Sequence, residues 1–147
     1  MVAIVPARNE AAHVEEALGS LLAQEYPGEF AVVLVDDHSE DATAAIARRL
    51  AAGQARPLEV IGASTLPPGW TGKLWAIHEG LRHAAHVRPK AAYVLLTDAD
   101  IVPAPESFAR LVAKGEAERV DLTSLMVRLH CETFWERLLI PPFVFFS

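Results

Sequence analysis

The chain has 147 residues, 52% hydrophobic and 22% charged, a balance that supplies a core for one domain over 1–147 and excludes an intrinsically disordered chain. Its net charge of −6 and the lack of any basic run argue against nucleic acid as a partner, although a divalent cation can bridge an acidic protein to an anionic small substrate. Cys131 is the only cysteine, which rules out an intrachain disulfide and a cysteine-based zinc site and makes a reducing compartment the default expectation.

Short apolar runs alternate with helical periodicity, so the fold class is α/β, a mostly parallel sheet with flanking helices. Strand one is expected at Val2 to Val5, without a secretory leader before it. Asn9 can cap the next helix, in which Val14, Ala17, Leu18, Leu21 and Leu22 repeat at helical spacing, and Tyr26-Pro27-Gly28 should end it. Ala31 to Val35 is a continuous apolar run, as expected for a strand covered on both faces. Asp36-Asp37-His38-Ser39 follows, then an Ala-rich helix from about Asp41 to Ala52 closing on Gly53.

Leu58 to Ile61 reads as strand three, Gly62 to Gly72 as a Pro- and Gly-rich loop, and Lys73 to Val87 as a helix. The apolar run Ala91 to Leu96 is strand four and leads directly into Thr97-Asp98-Ala99-Asp100. Pro103 and Pro105 precede a helix with Phe108, Leu111 and Val112 on one face. Strand five is expected at Val120 to Val127 and a final helix at Glu132 to Ile140. No apolar run approaches the roughly 20 residues of a transmembrane helix. The apolar, aromatic tail from Leu138 to Phe146 is a sticky end for a soluble domain, so a piece of a longer protein is expected.

Parallel strands bring their carboxyl ends to one edge of the sheet, which is where open α/β sheets bind ligands. Three strands end in polar clusters: Pro6-Ala7-Arg8-Asn9-Glu10, Asp36-Asp37-His38-Ser39 and Thr97-Asp98-Ala99-Asp100. A fourth, Gly69-Trp70-Thr71-Gly72-Lys73, lies at a loop-to-helix junction. Residues two apart on an extended segment point the same way, so Asp98 and Asp100 can present paired carboxylates with small Ala99 between them. Hard cations such as Mg²⁺ or Mn²⁺ take such oxygen ligands together with substrate phosphates.

Each cluster also has a bland account. Asn9 and Ser39 are good helix caps whatever else they do. Adjacent Asp36 and Asp37 repel unless something meets them, and they fit either a cap or a ligand contact. Arg8 fits either a surface ion pair or a phosphate contact. Lys73 at a helix start opposes the helix dipole and is easier to understand beside an anion. Trp70 and Trp75 either line a ligand pocket or anchor the loop on the core.

Other signatures are missing. No Gly-x-Gly-x-x-Gly follows strand one, and Leu74 stands where a phosphate-binding P-loop needs its hydroxyl. His78, His83 and His86 share one expected helix at a spacing that does not suit a zinc protease.

Taken in order, Val-Pro-Ala-Arg-Asn-Glu, Val-Asp-Asp-His-Ser and Thr-Asp-Ala-Asp-Ile, the last as a DxD motif, resemble the donor half of an inverting family 2 glycosyltransferase. Pro-Gly-Trp-Thr-Gly-Lys-Leu-Trp-Ala and Trp-Glu-Arg-Leu-Leu-Ile-Pro-Pro-Phe-Val-Phe-Phe are similar to the hopene-associated (HpnB-like) subgroup. The resemblance implies the Rossmann-like nucleotide-binding half of a GT-A fold. It implies that Asp37 contacts the nucleotide base with Asp36 beside it, and that Pro6, Ala7, Arg8, Asn9 and Glu10 frame the nucleotide pocket. Asp98 would lie near the ribose and metal with Ala99 beside it, Asp100 would bind the divalent cation (Mg²⁺ or Mn²⁺), and Lys73 would meet donor phosphate or sugar.

The resemblance further implies a nucleotide-diphosphate sugar donor, commonly a UDP-sugar, a lipid or isoprenoid acceptor, and a full-length protein at the cytoplasmic face of a membrane. The family's general base lies in the acceptor half, beyond the DxD region, so this chain is expected to bind donor but transfer sugar poorly. Two other readings compete: a nucleotidyltransferase, whose Gly-rich, Arg-containing loop is missing after strand one, and a noncatalytic domain whose apolar tail docks on a partner or membrane.

Overall fold

The computed structural model describes residues 1–124. Four strands, β1 (Val2–Ala7), β2 (Ala31–Asp36), β3 (Leu58–Gly62) and β4 (Val94–Leu96), form one parallel sheet in the order β3-β2-β1-β4. The helices are α1 (Val14–Leu22), α2 (Thr43–Ala51), α3 (Gly72–Val87) and α4 (Ser107–Glu118).

The order explains the layers. Parallel crossovers are right-handed, so the steps from β1 to β2 to β3 put α1 and α2 on one face. The step from β3 back past β1 to β4 reverses direction and puts α3 on the other. Alternation along the strands follows suit: Ala3, Val5, Val32 and Leu34 pack with α1, α2 and Phe108 of α4, while Val2, Ile4, Val33 and Val35 pack with Ala76 and Ala84 of α3. Both central strands are therefore buried on both sides, which is why they read as unbroken apolar runs. A Cβ at Gly80 of α3 would stand 2.5 Å from Ile4 Cγ2 and 2.9 Å from Val35 Cγ2, so the helix lies closer to the sheet than an alanine allows.

Several local expectations are corrected. Neither Asn9 nor Ser39 caps a helix: α1 starts at Val14 and α2 at Thr43, without a side-chain cap at His13 or Ala42. Asn9 is in the left-handed region (φ 56°); its N–H donates to Ser39 Oγ (3.0 Å) and its Oδ1 accepts from the Glu40 N–H (2.8 Å). With Glu10 N–H donating to Thr43 Oγ1 (2.8 Å) and Ala11 N–H to Asp41 Oδ2 (3.1 Å), the β1–α1 and β2–α2 loops are latched together. The polar side chains are used between loops rather than along helices.

Helix α1 stops at Leu22, before Tyr26-Pro27-Gly28, because buried Gln24 turns the chain by donating to Ala104 O (2.8 Å) and accepting from the Phe108 N–H (3.3 Å). Strand β4 is three residues long rather than six, since only Val94 to Leu96 pair with β1. In α4 only Phe108 is fully buried, against Phe30. Residues 120–124 carry no strand; the rest of expected strand five, the helix at Glu132 to Ile140 and the apolar tail lie outside the described residues. No helix among the described residues is long and apolar enough to cross a membrane.

Candidate functional site

The sheet order reverses between β1 and β4, and a crevice opens there beyond the carboxyl ends of the strands. It is a cleft of about 420 Å³. The end of β1 and its loop contribute Pro6, Ala7, Arg8 and Glu10; the residue just after β2 is Asp37; the start of α3 contributes Gly72 and Lys73; the turn after β4 contributes Asp98, Ala99 and Asp100. Four segments far apart in the chain thus meet because parallel strands share one rim.

Asp37 is the most enclosed of the charged groups, its side chain about 10% exposed. Its Oδ2 lies 3.5 Å from the Arg8 guanidinium and its Oδ1 lies 3.3 Å from His38 Nδ1. Gly72, the first residue of α3, abuts the same carboxylate so closely that a Cβ there would collide with Oδ2. The sequence places Gly72 in the Gly69 to Lys73 cluster without giving it a role; the signal is a glycine directly before Lys73 at a helix start, where nothing local demands one.

Asp98 and Asp100 reach the cleft by a different route from the one expected. The chain is not extended through them: Asp98 to Ile101 forms a turn, with the Ile101 N–H donating to Asp98 O (3.4 Å). Buried Ala99 anchors that turn in the core on the α1 side. Lys73 Nζ stands 2.7 Å from Asp98 Oδ1, which gives the cation at the start of α3 the anion it needs.

Asn9 and Asp36 do not line the cleft. Asn9 is used in the loop latch. Asp36 is the last residue of β2 and alternates with Asp37, so the two neighbours point to opposite faces and do not repel across one site. Asp36 Oδ1 is buried without a hydrogen-bond partner among the described residues.

Among the described residues, Trp70, Trp75, His78 and His83 do not line the cleft. Trp75 Nε1–H donates to Ser64 O (3.1 Å), tying the 62–71 loop to α3, and His78 stacks on Trp75 (5.1 Å between rings) with Trp70 edge-on. Trp75 is thus an anchor. His83 Nε2 lies 2.6 Å from Glu59 Oε2, and Arg88 donates to Glu59 Oε1 (3.3 Å). Partial burial raises the Glu59 carboxyl, but the hydrogen bonds and charges of His83 and Arg88 outweigh it and hold the group below its ordinary value.

The donor set of the cleft suits a hard divalent cation. Asp98 and Asp100 offer oxygens, and among the described residues no soft ligand lines the cleft. Among the described residues no three acidic, histidine or cysteine side chains gather closely enough to enclose an ion. A cation held here would complete its shell with water and substrate oxygens, which is how Mg²⁺-type ions are usually bound at phosphate sites.

The pattern of the family described as "Glycosyl transferase family 2" matches residues 2–143. No curated protein matches the chain. Among solved structures, S. aureus TarS (residues 1–349) in complex with UDP-GlcNAc is 26% identical with a TM-score of 0.65, over 87% of this chain and 36% of that one. Its complex with UDP gives 26% and 0.64, over 87% and 38%. The mannosyltransferase PcManGT from Pyrobaculum calidifontis, in complex with GDP-Man and Mn²⁺, is 33% identical with a TM-score of 0.59, over 76% and 30%. The chain therefore spans about a third of the length of these relatives.

Proposed function

Because the chain belongs to glycosyl transferase family 2, we propose that it forms the donor-binding half of a metal-dependent, inverting glycosyltransferase of GT-A fold. The donor is a nucleotide-diphosphate sugar. The observation that carries this reading is the meeting of Arg8, Asp37, Lys73, Asp98 and Asp100 in one cleft at the switch point of the sheet.

The residues divide the work by their chemistry. Asp37, enclosed and fixed between Arg8 and His38, accepts hydrogen bonds from the N–H edge of the base. Pro6, Ala7 and Glu10 wall the nucleotide, and Arg8 and Lys73 offer positive charge to its phosphates. Asp98 and Asp100 hold the divalent cation, Mg²⁺ or Mn²⁺, with Asp98 also beside the ribose. The chemistry such a cation supplies is neutralisation of charge on the departing nucleoside diphosphate. Uridine and guanosine nucleotides, both bound by the similar structures, are the two to compare, and we favour UDP.

The acceptor we propose is a lipid or isoprenoid, with the full-length protein at the cytoplasmic face of a membrane. That part rests on the similarity of the Pro68 to Ala76 and Trp135 to Phe146 segments to the hopene-associated subgroup.

Calorimetric titration of UDP and GDP with Mn²⁺ tests the donor reading. Asp100 is exposed, so Asp100→Ala should leave the fold intact and weaken nucleotide binding in Mn²⁺ by at least about tenfold, roughly 1.4 kcal/mol. Unchanged affinity would overturn it.

A further inference from the structure

Within the cleft, Lys73 Nζ lies 2.7 Å from Asp98 Oδ1, on a carboxylate that the proposed function gives to a metal ion. An ammonium and a divalent cation on one carboxylate draw on the same negative charge and repel each other across a few ångströms, so each weakens the other there. We infer that Lys73 is a built-in competitor for the cation site at Asp98, and that donor diphosphate relieves the competition by drawing the ammonium away. Nucleotide and divalent cation then bind synergistically. The inference rests on the donor-site reading above and adds a coupling to it.

Three features support it. First, the contact is made to be broken: the side chains of Lys73 and Asp98 are 59% and 49% exposed, and pairs so exposed are weak, at most about fivefold in an equilibrium constant. A buried pair would hold Asp98 permanently. Second, only the side chain has to move. Gly80 seats α3 against Ile4 and Val35, which fixes the Lys73 backbone, while a four-carbon stem carries a point charge over several ångströms without strain. Third, the cleft remains acidic with Lys73 in place, since among the described residues Glu10, Asp37, Asp98 and Asp100 face only Arg8 and Lys73. A dianionic diphosphate entering alone meets net repulsion, and a lysine leaving Asp98 without an ion to replace it gives up its attraction to that carboxylate and leaves it uncompensated. Each ligand thus favours the other, by the same factor in both directions.

The contrast with Arg8 gives the control. Arg8 is a second cation of the same cleft, but it lies at 3.5 Å from Asp37, not Asp98. Removing it takes away the same charge without freeing a metal oxygen.

The test is Mn²⁺ binding to the 147-residue chain, read as free Mn²⁺ by electron paramagnetic resonance, with and without UDP. It compares wild type, Lys73→Met and Arg8→Met. In wild type UDP should tighten Mn²⁺ binding. Lys73→Met should bind Mn²⁺ alone about threefold to fivefold more tightly and show a correspondingly smaller gain on adding UDP. Arg8→Met should leave Mn²⁺ binding without nucleotide within about twofold, since exposed charges farther from the ion are screened. Unchanged or weaker Mn²⁺ binding by Lys73→Met would overturn the competitor role and leave the donor site standing. Equal tightening by both variants would also overturn it, as a general charge effect. Failure of every form to bind Mn²⁺ or UDP would overturn both readings. Circular dichroism of each variant confirms folding, which substitution at two exposed positions should not disturb.

Discussion

Gly72→Ala separates the function of Asp37 from the stability of the fold. A methyl group at residue 72 would overlap Asp37 Oδ2 and stand 3.3 Å from its Cγ. The obstacle is the far end of a side chain, so the carboxylate can rotate away rather than force the helix off the sheet. Displacing it by about 1 Å costs a rotamer distortion on the order of 0.5–1.5 kcal/mol. Replacing glycine by alanine in a helix returns up to about 1 kcal/mol. The two nearly offset each other, and the thermal midpoint should move by no more than about 3 °C. Binding should respond far more. A hydrogen bond to a charged group contributes about 1.5–3 kcal/mol, so losing the Asp37 contact should weaken UDP by roughly tenfold to a hundredfold. Calorimetry with UDP and Mn²⁺, paired with thermal unfolding, reads both quantities. A folded Gly72→Ala protein that binds UDP within twofold of wild type would refute the assignment of Asp37 to the nucleotide.

Gly80→Ala should behave in the opposite way, because its Cβ would press on Ile4 and Val35, both fully buried and unable to yield. Overpacking of about 1–3 kcal/mol exceeds the helix gain, so the thermal midpoint should drop by several degrees; an unchanged or raised midpoint would show that α3 can shift freely. The Glu59 cluster should show itself in acid. A carboxyl lowered in the folded state stabilises above its unfolded value, and that contribution is lost as pH falls through the folded value. Glu59→Gln should therefore lower the unfolding midpoint near neutral pH, and the gap from wild type should close below the ordinary Glu value of 4.5. A gap independent of pH would mean that Glu59 acts by packing alone.

What the sequence alone determined is the periodic part of this protein. Val2 to Val5 and Ala31 to Val35 could be recognised as strands because a parallel strand covered on both faces needs apolar residues at every position. The apolar spacing in α1 marked the five residues that the fold buries there. The convergence of the Arg8, Asp37 and Asp98 segments could also be anticipated, since these polar clusters follow strands whose parallel pairing puts their carboxyl ends on one rim.

Only the tertiary structure decided the contacts between segments. Asn9, Ser39, Thr43 and Asp41 have side chains that suit either a helix cap or a loop-to-loop latch, and the choice depends on how close two loops some 30 residues apart come to lie. Asp36 and Asp37 are chemically identical neighbours, yet the pleat sends one into the cleft and the other to the opposite face. The requirement for glycine at 72, and the Lys73–Asp98 pair, arise where α3 crosses back over the sheet. A crossover brings together residues that share no local pattern, and so no spacing along the chain announces them.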